Sequence, residues 1–309
     1  MRAAVIGVGH LGRHHARILA SLPGITLAGV VDTNRDRAIQ VAAEHGTQAF
    51  GNFREISSKV DLVVVAVPTE SHAAVAMPLI EAGVHALVEK PIAQTVAEAD
   101  ALIAAAKKAG AVLAVGHSER FNPAVAAARP YLKDPRFIEV HRLGIFPDRS
   151  LDIDVVLDLM IHDLDLILSL VPSEVEGVET VGVPELTPKV DIANARIRFA
   201  NGCIANLTAS RISRDPVRKI RFFQRDSYVS IDTASREVEI YKLVPQSGAL
   251  PKIGGGKLDV AGDEPLKREL EDFVAAVRNG GTPAVTGEQG RSALALAIRI
   301  VDLMEQHGH

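Results

Sequence analysis

Met1-Arg-Ala-Ala-Val-Ile-Gly-Val-Gly-His-Leu-Gly-Arg-His14 opens the chain, and the reading of this stretch decides the fold. Ala3 to Ile6 is a short apolar run that predicts a buried parallel strand, and Gly7-x-Gly9-x-x-Gly12 follows it at once. Each glycine has its own task in such a turn. Gly7 permits the tight bend, Gly9 lets the backbone approach a pyrophosphate, and Gly12 lets the next helix pack closely on the strand. That helix, expected from Arg13 to Ala20, offers its free N–H groups and dipole to the anion. A glycine loop alone is a common feature, and the competing reading is a βαβ turn that binds no phosphate. The context favours a dinucleotide site: a second apolar run, Ile25 to Val31, ends in Asp32, twenty residues beyond Gly12, where a carboxylate can meet ribose hydroxyls. Gly7, Gly9, His10, Leu11, Gly12 and Asp32 are the candidate cofactor-binding residues of this segment. Asp32 repels a 2′-phosphate, so NAD is expected over NADP, with Arg35 near enough in sequence to soften the preference.

Working outward, helical periodicity over Asn34 to His45 stops at Gly46, and Asp61-Leu-Val-Val-Val-Ala-Val67 is apolar on both faces, as strands covered by helices are. A helix from Glu70 to Ala82, a strand His85 to Lys90, a helix opened by the capping box Thr95-x-x-Glu98, and a strand Ala111 to Gly116 complete the alternation. Residues 1–120 thus predict a doubly wound Rossmann domain with a parallel sheet. From 121 to 309 the pattern changes to consecutive strand candidates: Arg136–Ile145, Val190–Phe199, Cys203–Ile212, Lys219–Gln224, Tyr228–Asp232 and Glu237–Leu243, with Asn201-Gly202 as a hairpin turn. This predicts a second α/β domain with a large, open, mostly antiparallel sheet, interrupted by one helix, Val155–Leu170, and closed by two, Glu264–Arg278 and Glu288–Gln306. Gln246 to Gly262, with its glycine run, reads as a loop.

Composition narrows the function classes. At 309 residues, 47% hydrophobic and 23% charged, the chain reads as a two-domain globular protein, and a net charge of −4 argues against nucleic acid or anionic membrane as partners. A single cysteine, Cys203, excludes an internal disulfide, and no apolar run approaches the ~20 residues needed to cross a bilayer. With no signal-peptide pattern at the N-terminus, a cytoplasmic location is expected.

Three features carry chemistry. Lys90 stands at the carboxyl end of a sheet strand, on the edge where such sheets bind ligands. Partial burial and a positive nicotinamide ring would lower its pKa toward a value useful for proton transfer, while Glu89 opposes that; a structural ion pair at the strand end fits the same residues. Asp158 and His162, four apart on a helix, share one face with Asp165 beyond, and can orient a sugar hydroxyl and relay its proton. That stripe also fits the solvated side of an amphipathic helix. A metal site is disfavoured, because no second histidine or cysteine cluster completes it. The third feature is basic: Arg211, Arg214, Arg218, Lys219, Arg221 and Arg225 suit phosphate recognition, or the outer face of an exposed sheet. His14 and His15 read as helix-surface residues.

Gly7-x-Gly9-x-x-Gly12, Glu89-Lys90-Pro91 and Asp158-x-x-x-His162, in that order, resemble the Gfo/Idh/MocA family of sugar oxidoreductases, and Pro265–Phe273 and Val285–Gly290 look like its closing helix signatures. The resemblance implies that Lys90 and His162 are the catalytic pair, that Asp158 holds the sugar, and that Pro68, Thr69, His72 and Glu89 lie beside the cofactor. The family often has a glycine pair ahead of the aspartate where this chain has Asp154-Val-Val-Leu-Asp158, so the entry of this helix departs from the pattern. Gly116–Ala124 and Asp158–Asp165 further resemble the branch that oxidises UDP-N-acetylglucosamine at C3, ahead of transamination toward lipid A or surface polysaccharide. That implies substrate contacts from Lys90, Arg120, Asn122, Asp158 and His162, with an arginine of the basic stretch on the pyrophosphate. The expectation is therefore an NAD-dependent nucleotide-sugar dehydrogenase without a metal, forming a dimer or tetramer through the outer face of its open sheet. The alternatives are a dehydrogenase of an unactivated sugar or cyclitol, and a non-catalytic NAD-binding sensor or scaffold.

Overall fold

A computed structural model describes residues 1–146, 153–246, 249–260 and 262–306. The chain forms two compact units. The first holds Met1–Ser118 together with Glu264–Leu294, and the second Glu119–Asp263 together with the chain from Ala295 onward.

In the first unit six strands, β1 (Arg2–Ile6), β2 (Thr26–Val31), β3 (Ala49–Phe50), β4 (Leu62–Val65), β5 (His85–Glu89) and β6 (Leu113–Gly116), form a parallel sheet in the order β3-β2-β1-β4-β5-β6. Helices α1 (Gly12–Ser21), α2 (Arg35–Glu44), α3 (His72–Glu81) and α4 (Val96–Ala109) connect them. The order reverses between β1 and β4, so the loops after these strands part and leave a crevice at their carboxyl ends. Every residue of β4 is buried, which explains why its sequence is apolar without alternation. The capping box at α4 forms as expected: the Thr95 side chain accepts from the Glu98 N–H, the Glu98 carboxylate accepts from the Thr95 N–H, and Gly110 ends the helix in the left-handed region.

In the second unit eight strands, β7 (Phe137–Leu143), β8 (Val175–Val183), β9 (Ile192–Phe199), β10 (Ile204–Ser210), β11 (Val217–Phe223), β12 (Ser227–Asp232), β13 (Glu237–Gln246) and β14 (Ala249–Leu258), are ordered β14-β13-β12-β11-β7-β10-β9-β8. Only β7 and β10 pair in parallel. Helices α5 (Pro123–Ala128) and α6 (Ile161–Leu170) lie on either side of β7 in the chain. One sequence expectation fails here: residues 249–258, read as part of a loop, form β14, paired with β13 from Val238↔Leu258 to Gln246↔Ala249. The glycine run misled because Gly255, at φ +136°, lies so close under β13 that a Cβ there would stand 2.0 Å from the Ile240 carbonyl oxygen. The sequence reading also passed over β8, whose mixed polar pattern reflects half-buried residues alternating with exposed ones.

The chain closes with α7 (Pro265–Asn279) and α8 (Gly287–Gln306). Leu270, Phe273 and Val274 of α7 join the core beneath β1 and α1, beside Ala3, Val5, Ile18 and Leu19. Burying Phe273 alone contributes roughly 1.5–3 kcal/mol, enough to tie this late helix to the first unit.

Candidate active site

The three glycines of the opening loop divide by what the protein itself requires of them. Gly7 has φ +85°, and a Cβ on it would lie 2.6 Å from the Ala66 carbonyl oxygen. A Cβ on Gly12 would lie 1.8 Å from the Gly7 oxygen. Gly9 is different: its φ is not in the left-handed region, and a Cβ there would meet only the tip of Arg37, at 3.5 Å. The space in front of Gly9 is therefore a cradle that the fold leaves open, of the kind a pyrophosphate fills. His10 and Leu11 continue this loop, with Leu11 exposed, and no side chain caps the first turn of α1, which also lacks an acidic residue. An anion meets no competitor there.

Asp32 closes the other side of the loop. It is 8% exposed, its Oδ2 accepts from the Val8 N–H at 3.0 Å and its Oδ1 from the Asn34 N–H at 2.8 Å. These bonds fix a carboxylate at the end of β2, where ribose hydroxyls of a bound dinucleotide would reach it. The neighbouring cation is Arg37, 3.5 Å away, and not Arg35. The α2 cap explains the exchange: Asn34 accepts from the Arg37 N–H, and Arg37 folds back over the loop. These residues fit an NAD molecule.

On the neighbouring strand ends, Pro68 and Thr69 follow β4, and His72 is buried behind them, with Nδ1 2.8 Å from the Pro91 carbonyl oxygen and Nε2 2.9 Å from that of Val67. Burial pushes the His72 pKa below its usual value, against the two carbonyls and the Glu89 charge. His72 thereby ties the loop after β4 to the loop after β5. Lys90 is half-buried there, its peptide bond to Pro91 is cis, and its N–H donates to Glu89 Oε2 at 3.1 Å.

The Glu89 carboxylate faces inward. Its Oε1 lies 2.7 Å from His15 Nε2, and Glu269 of α7 brings a second carboxyl group, so that these atoms all lie within 4.8 Å of one another. His15, expected on the helix surface, is fully buried. The 2.7 Å spacing is that of a hydrogen bond, whereas two ligands about 2.1 Å from one tetrahedral ion would stand roughly 3.4 Å apart. Burial disfavours the charge on Glu89, but the His15 hydrogen bond, the attraction of His15 and Lys90 and the Lys90 N–H outweigh it and hold its pKa below the usual value. Sequence offered no direct signal for this trio, because its members lie in three elements far apart in the chain.

In the second unit Asp158 and His162 are both half-buried. The helix bearing them does not begin as an α-helix: Val156–Met160 is one π turn, and α6 follows. Its entry is pinned from the start, since Asp154 Oδ1 accepts from the Val190 N–H at 2.9 Å and the Val155 N–H donates to the Val190 carbonyl at 3.0 Å. The wide turn accommodates an extra residue next to Asp158, a distortion found often at functional sites. This is where the sequence departs from the glycine pair, and the π turn runs into α6 between Asp158 and His162.

The other acids of this segment do not form a solvated stripe. Asp163 is buried and takes a two-pronged ion pair from Arg142, 2.8 Å at each oxygen, with Glu119 3.3 Å from the same arginine. Burial opposes the Arg142 charge, but Asp163 and Glu119 more than offset it and hold the guanidinium charged. Asp165 takes a second forked pair from Arg120, at 2.6 and 2.9 Å. Arg120 thus commits Nε and Nη2 to the protein. Asn122 is 4% exposed; it caps α5 by accepting from the Ala124 N–H and donates to the Thr233 carbonyl and to Glu119.

The basic stretch separates in the same way. Arg211, expected among the phosphate ligands, is 1% exposed and bound to Asp191 at 2.7 Å, to the Ile153 carbonyl at 2.6 Å and to Thr187. Arg221 pairs with Glu139. Arg214 and Arg225 are exposed, whereas Arg218 stands opposite Arg142 in the sheet register, on the face that carries the Asp163 pair, with its side chain 52% exposed.

The chain is similar to known proteins along its length. Residues 1–117 match the family model described as the oxidoreductase family with an NAD-binding Rossmann fold (GFO_IDH_MocA), and residues 129–226 match the GFO/IDH/MocA C-terminal domain. The chain is 43% identical over 304 residues to the UDP-N-acetylglucosamine 3-dehydrogenase of Acidithiobacillus ferrooxidans, covering 97% of this chain and 96% of that one. The solved structure of that dehydrogenase superposes with a TM-score of 0.93, at 42% identity, over 99% of this chain and 98% of the other. A scyllo-inositol 2-dehydrogenase (NAD(+)) of Bacillus subtilis is 28% identical over 93% of this chain and 89% of its own.

Proposed function

The chain belongs to the GFO/IDH/MocA oxidoreductase family, and from that membership we propose that it oxidises the 3-hydroxyl of UDP-N-acetylglucosamine to the 3-keto sugar with NAD. The observation that carries the reading is likeness along the whole chain: 43% identity to a dehydrogenase of that substrate, against 28% to an inositol dehydrogenase. NAD, when bound, supplies the hydride acceptor at nicotinamide C4. The protein's own residues hold the ligand and move the proton. Gly9 and the open first turn of α1 receive the pyrophosphate, and Asp32 takes the ribose hydroxyls. His10, Leu11, Pro68, Thr69, His72 and Glu89 border the cofactor. Lys90 or His162 takes the hydroxyl proton, Asp158 orients the sugar, and Arg120 and Asn122 hold the segment that meets the substrate. The Arg218 side chain, exposed beside the Arg142–Asp163 pair, is the arginine that meets the nucleotide phosphates.

A 3-keto sugar is the substrate an aminotransferase needs, which places the reaction ahead of a 3-amino sugar for lipid A or surface polysaccharide. The outer face of the second sheet supports a dimer or tetramer. Phe137, Phe223, Tyr228 and Tyr241 make a row of ring contacts across it, at 5.6, 5.2 and 6.3 Å. Analytical ultracentrifugation reads the subunit number. No helix among the described residues is long and apolar enough to cross a membrane.

The test is a coupled assay with NAD, UDP-N-acetylglucosamine and a sugar aminotransferase, with the product located by mass spectrometry and NMR. The 3-amino product is expected. Its absence, with ready oxidation of an inositol or glucose, would move the reading to an unactivated sugar, and no turnover with any polyol would favour a binding protein. Lys90→Met and His162→Asn are expected to fold and bind NAD while turnover drops by roughly 10²-fold or more. Normal turnover in both would sink their catalytic assignment.

A further inference from the structure

His15, Glu89 and Glu269 come from α1, β5 and α7 and form one buried cluster, in which the function proposed above gives His15 and Glu269 no task. An ionised carboxylate is costly to bury unless donors hold it. Glu89 has donors on both oxygens: the 2.7 Å contact of Oε1 with His15 Nε2 contains a proton, and Oε2 accepts from the Lys90 N–H at 3.1 Å. The carboxylate is also confined sterically, since a Cβ on Gly116 of the neighbouring strand would lie 2.8 Å from Oε2. The Glu89 charge is therefore fixed in place directly below the residue read as the proton acceptor.

We propose that His15 is a positioning residue for the reaction: by keeping the Glu89 carboxylate ionised and oriented, it sets the pH range over which Lys90 exchanges its proton. This rests on the reading of Lys90 as the group that takes the hydroxyl proton. The charged and titratable groups facing Glu89 are His15 from α1, Glu269 from α7, His72 from α3 and Lys90 beside it. Withdraw His15, and Glu89 keeps one of its two hydrogen bonds, next to a second carboxylate. Burial then places a proton on Glu89. The negative charge beside Lys90 is lost, its ammonium form is favoured less, and the neutral base persists to lower pH.

Three measurements test this. In His15→Leu the acid limb of kcat/KM against pH moves down by about one unit, the lower end of what a neighbouring opposite charge is worth. Infrared spectra of the cofactor-free variant at neutral pH gain the carbonyl band of a protonated carboxylic acid, which disappears when Glu89→Gln is added. The double variant has the limb of Glu89→Gln alone, and His15→Gln, which returns an N–H donor, restores most of the wild-type profile. A merely structural His15 would lower the melting temperature and kcat with the limb unmoved and no new band, and that result overturns the proposal. Should His15→Leu not fold, Glu89→Gln carries the test, and an unmoved limb there overturns it equally. Lys90→Met runs in parallel: if it keeps both rate and limb, the Lys90 reading has failed, while the infrared band still reports the hold of His15 on Glu89.

Discussion

Gly9→Ala separates the ligand's demands from the protein's. A Cβ at this position would meet only Arg37 Nη1, at 3.5 Å, and the residue is not at positive φ, so the fold can accept alanine without strain. Replacing glycine where the backbone is compatible changes stability by about 0.4–1 kcal/mol in the favourable direction, through the unfolded chain. The added methyl instead occupies the cradle proposed for the pyrophosphate. Losing one hydrogen bond to a charged group costs about 1.5–3 kcal/mol, which corresponds to a roughly 10- to 150-fold rise in the Kd for NAD. Gly12→Ala has the opposite character, because its Cβ would lie 1.8 Å from the Gly7 carbonyl oxygen, a backbone atom that cannot retreat cheaply. It is expected to cost roughly 3 kcal/mol or more of stability, the upper end for overpacking. Thermal melts of both variants without cofactor, with calorimetric titration of NAD, give the two quantities separately. A Gly9→Ala protein that binds NAD with the wild-type Kd would refute the assignment of the loop.

Asp32→Ala removes the carboxylate that repels a 2′-phosphate and leaves Arg37 beside the vacated position, so the ratio of the NADP Kd to the NAD Kd should fall by roughly 10- to 100-fold. An unchanged ratio would show that another group selects the cofactor. Asp163→Ala strands the buried Arg142 guanidinium with Glu119 as its remaining acidic partner, and should cost about 3–5 kcal/mol in urea unfolding. Burial opposes ionisation of Asp191, but Arg211, the Leu186 and Thr187 N–H groups and the Thr187 hydroxyl together bring its pKa to about 2. Because this lies below the unfolded value, the stabilisation is complete above about pH 4 and is lost as pH falls through about 2, a change of about 2 kcal/mol. Acid unfolding curves of wild type and Asp191→Asn should differ by that slope, and parallel curves would remove Asp191 from the account.

Much of the first unit was legible in the sequence because its signals are local. A glycine that must clear a carbonyl one turn away, a capping box spanning Thr95 to Glu98, or a strand buried on both faces is encoded within a few residues of itself. The hairpin at Asn201-Gly202 is of the same kind, with Gly202 at φ +83°. The candidate residues Lys90, Asp158 and His162 were visible as types at positions, by resemblance to a family pattern. Their surroundings were not. Arg120 meets Asp165 across 45 residues, Arg211 meets Asp191 across 20, and His15 meets Glu89 across 74. The sequence supplied six cations in one basic stretch, and only the packing of β9, β10 and the segment before Val190 determined that Arg211 would be buried among them. The π turn at Val156–Met160 likewise begins beside Asp154, which is held at Val190, a contact between segments 36 residues apart. The physical reason is common to all of these. A residue's backbone preference acts on its neighbours in the chain, whereas the partner of a buried charge is set by distances between elements, which exist only once the sheets and helices have packed.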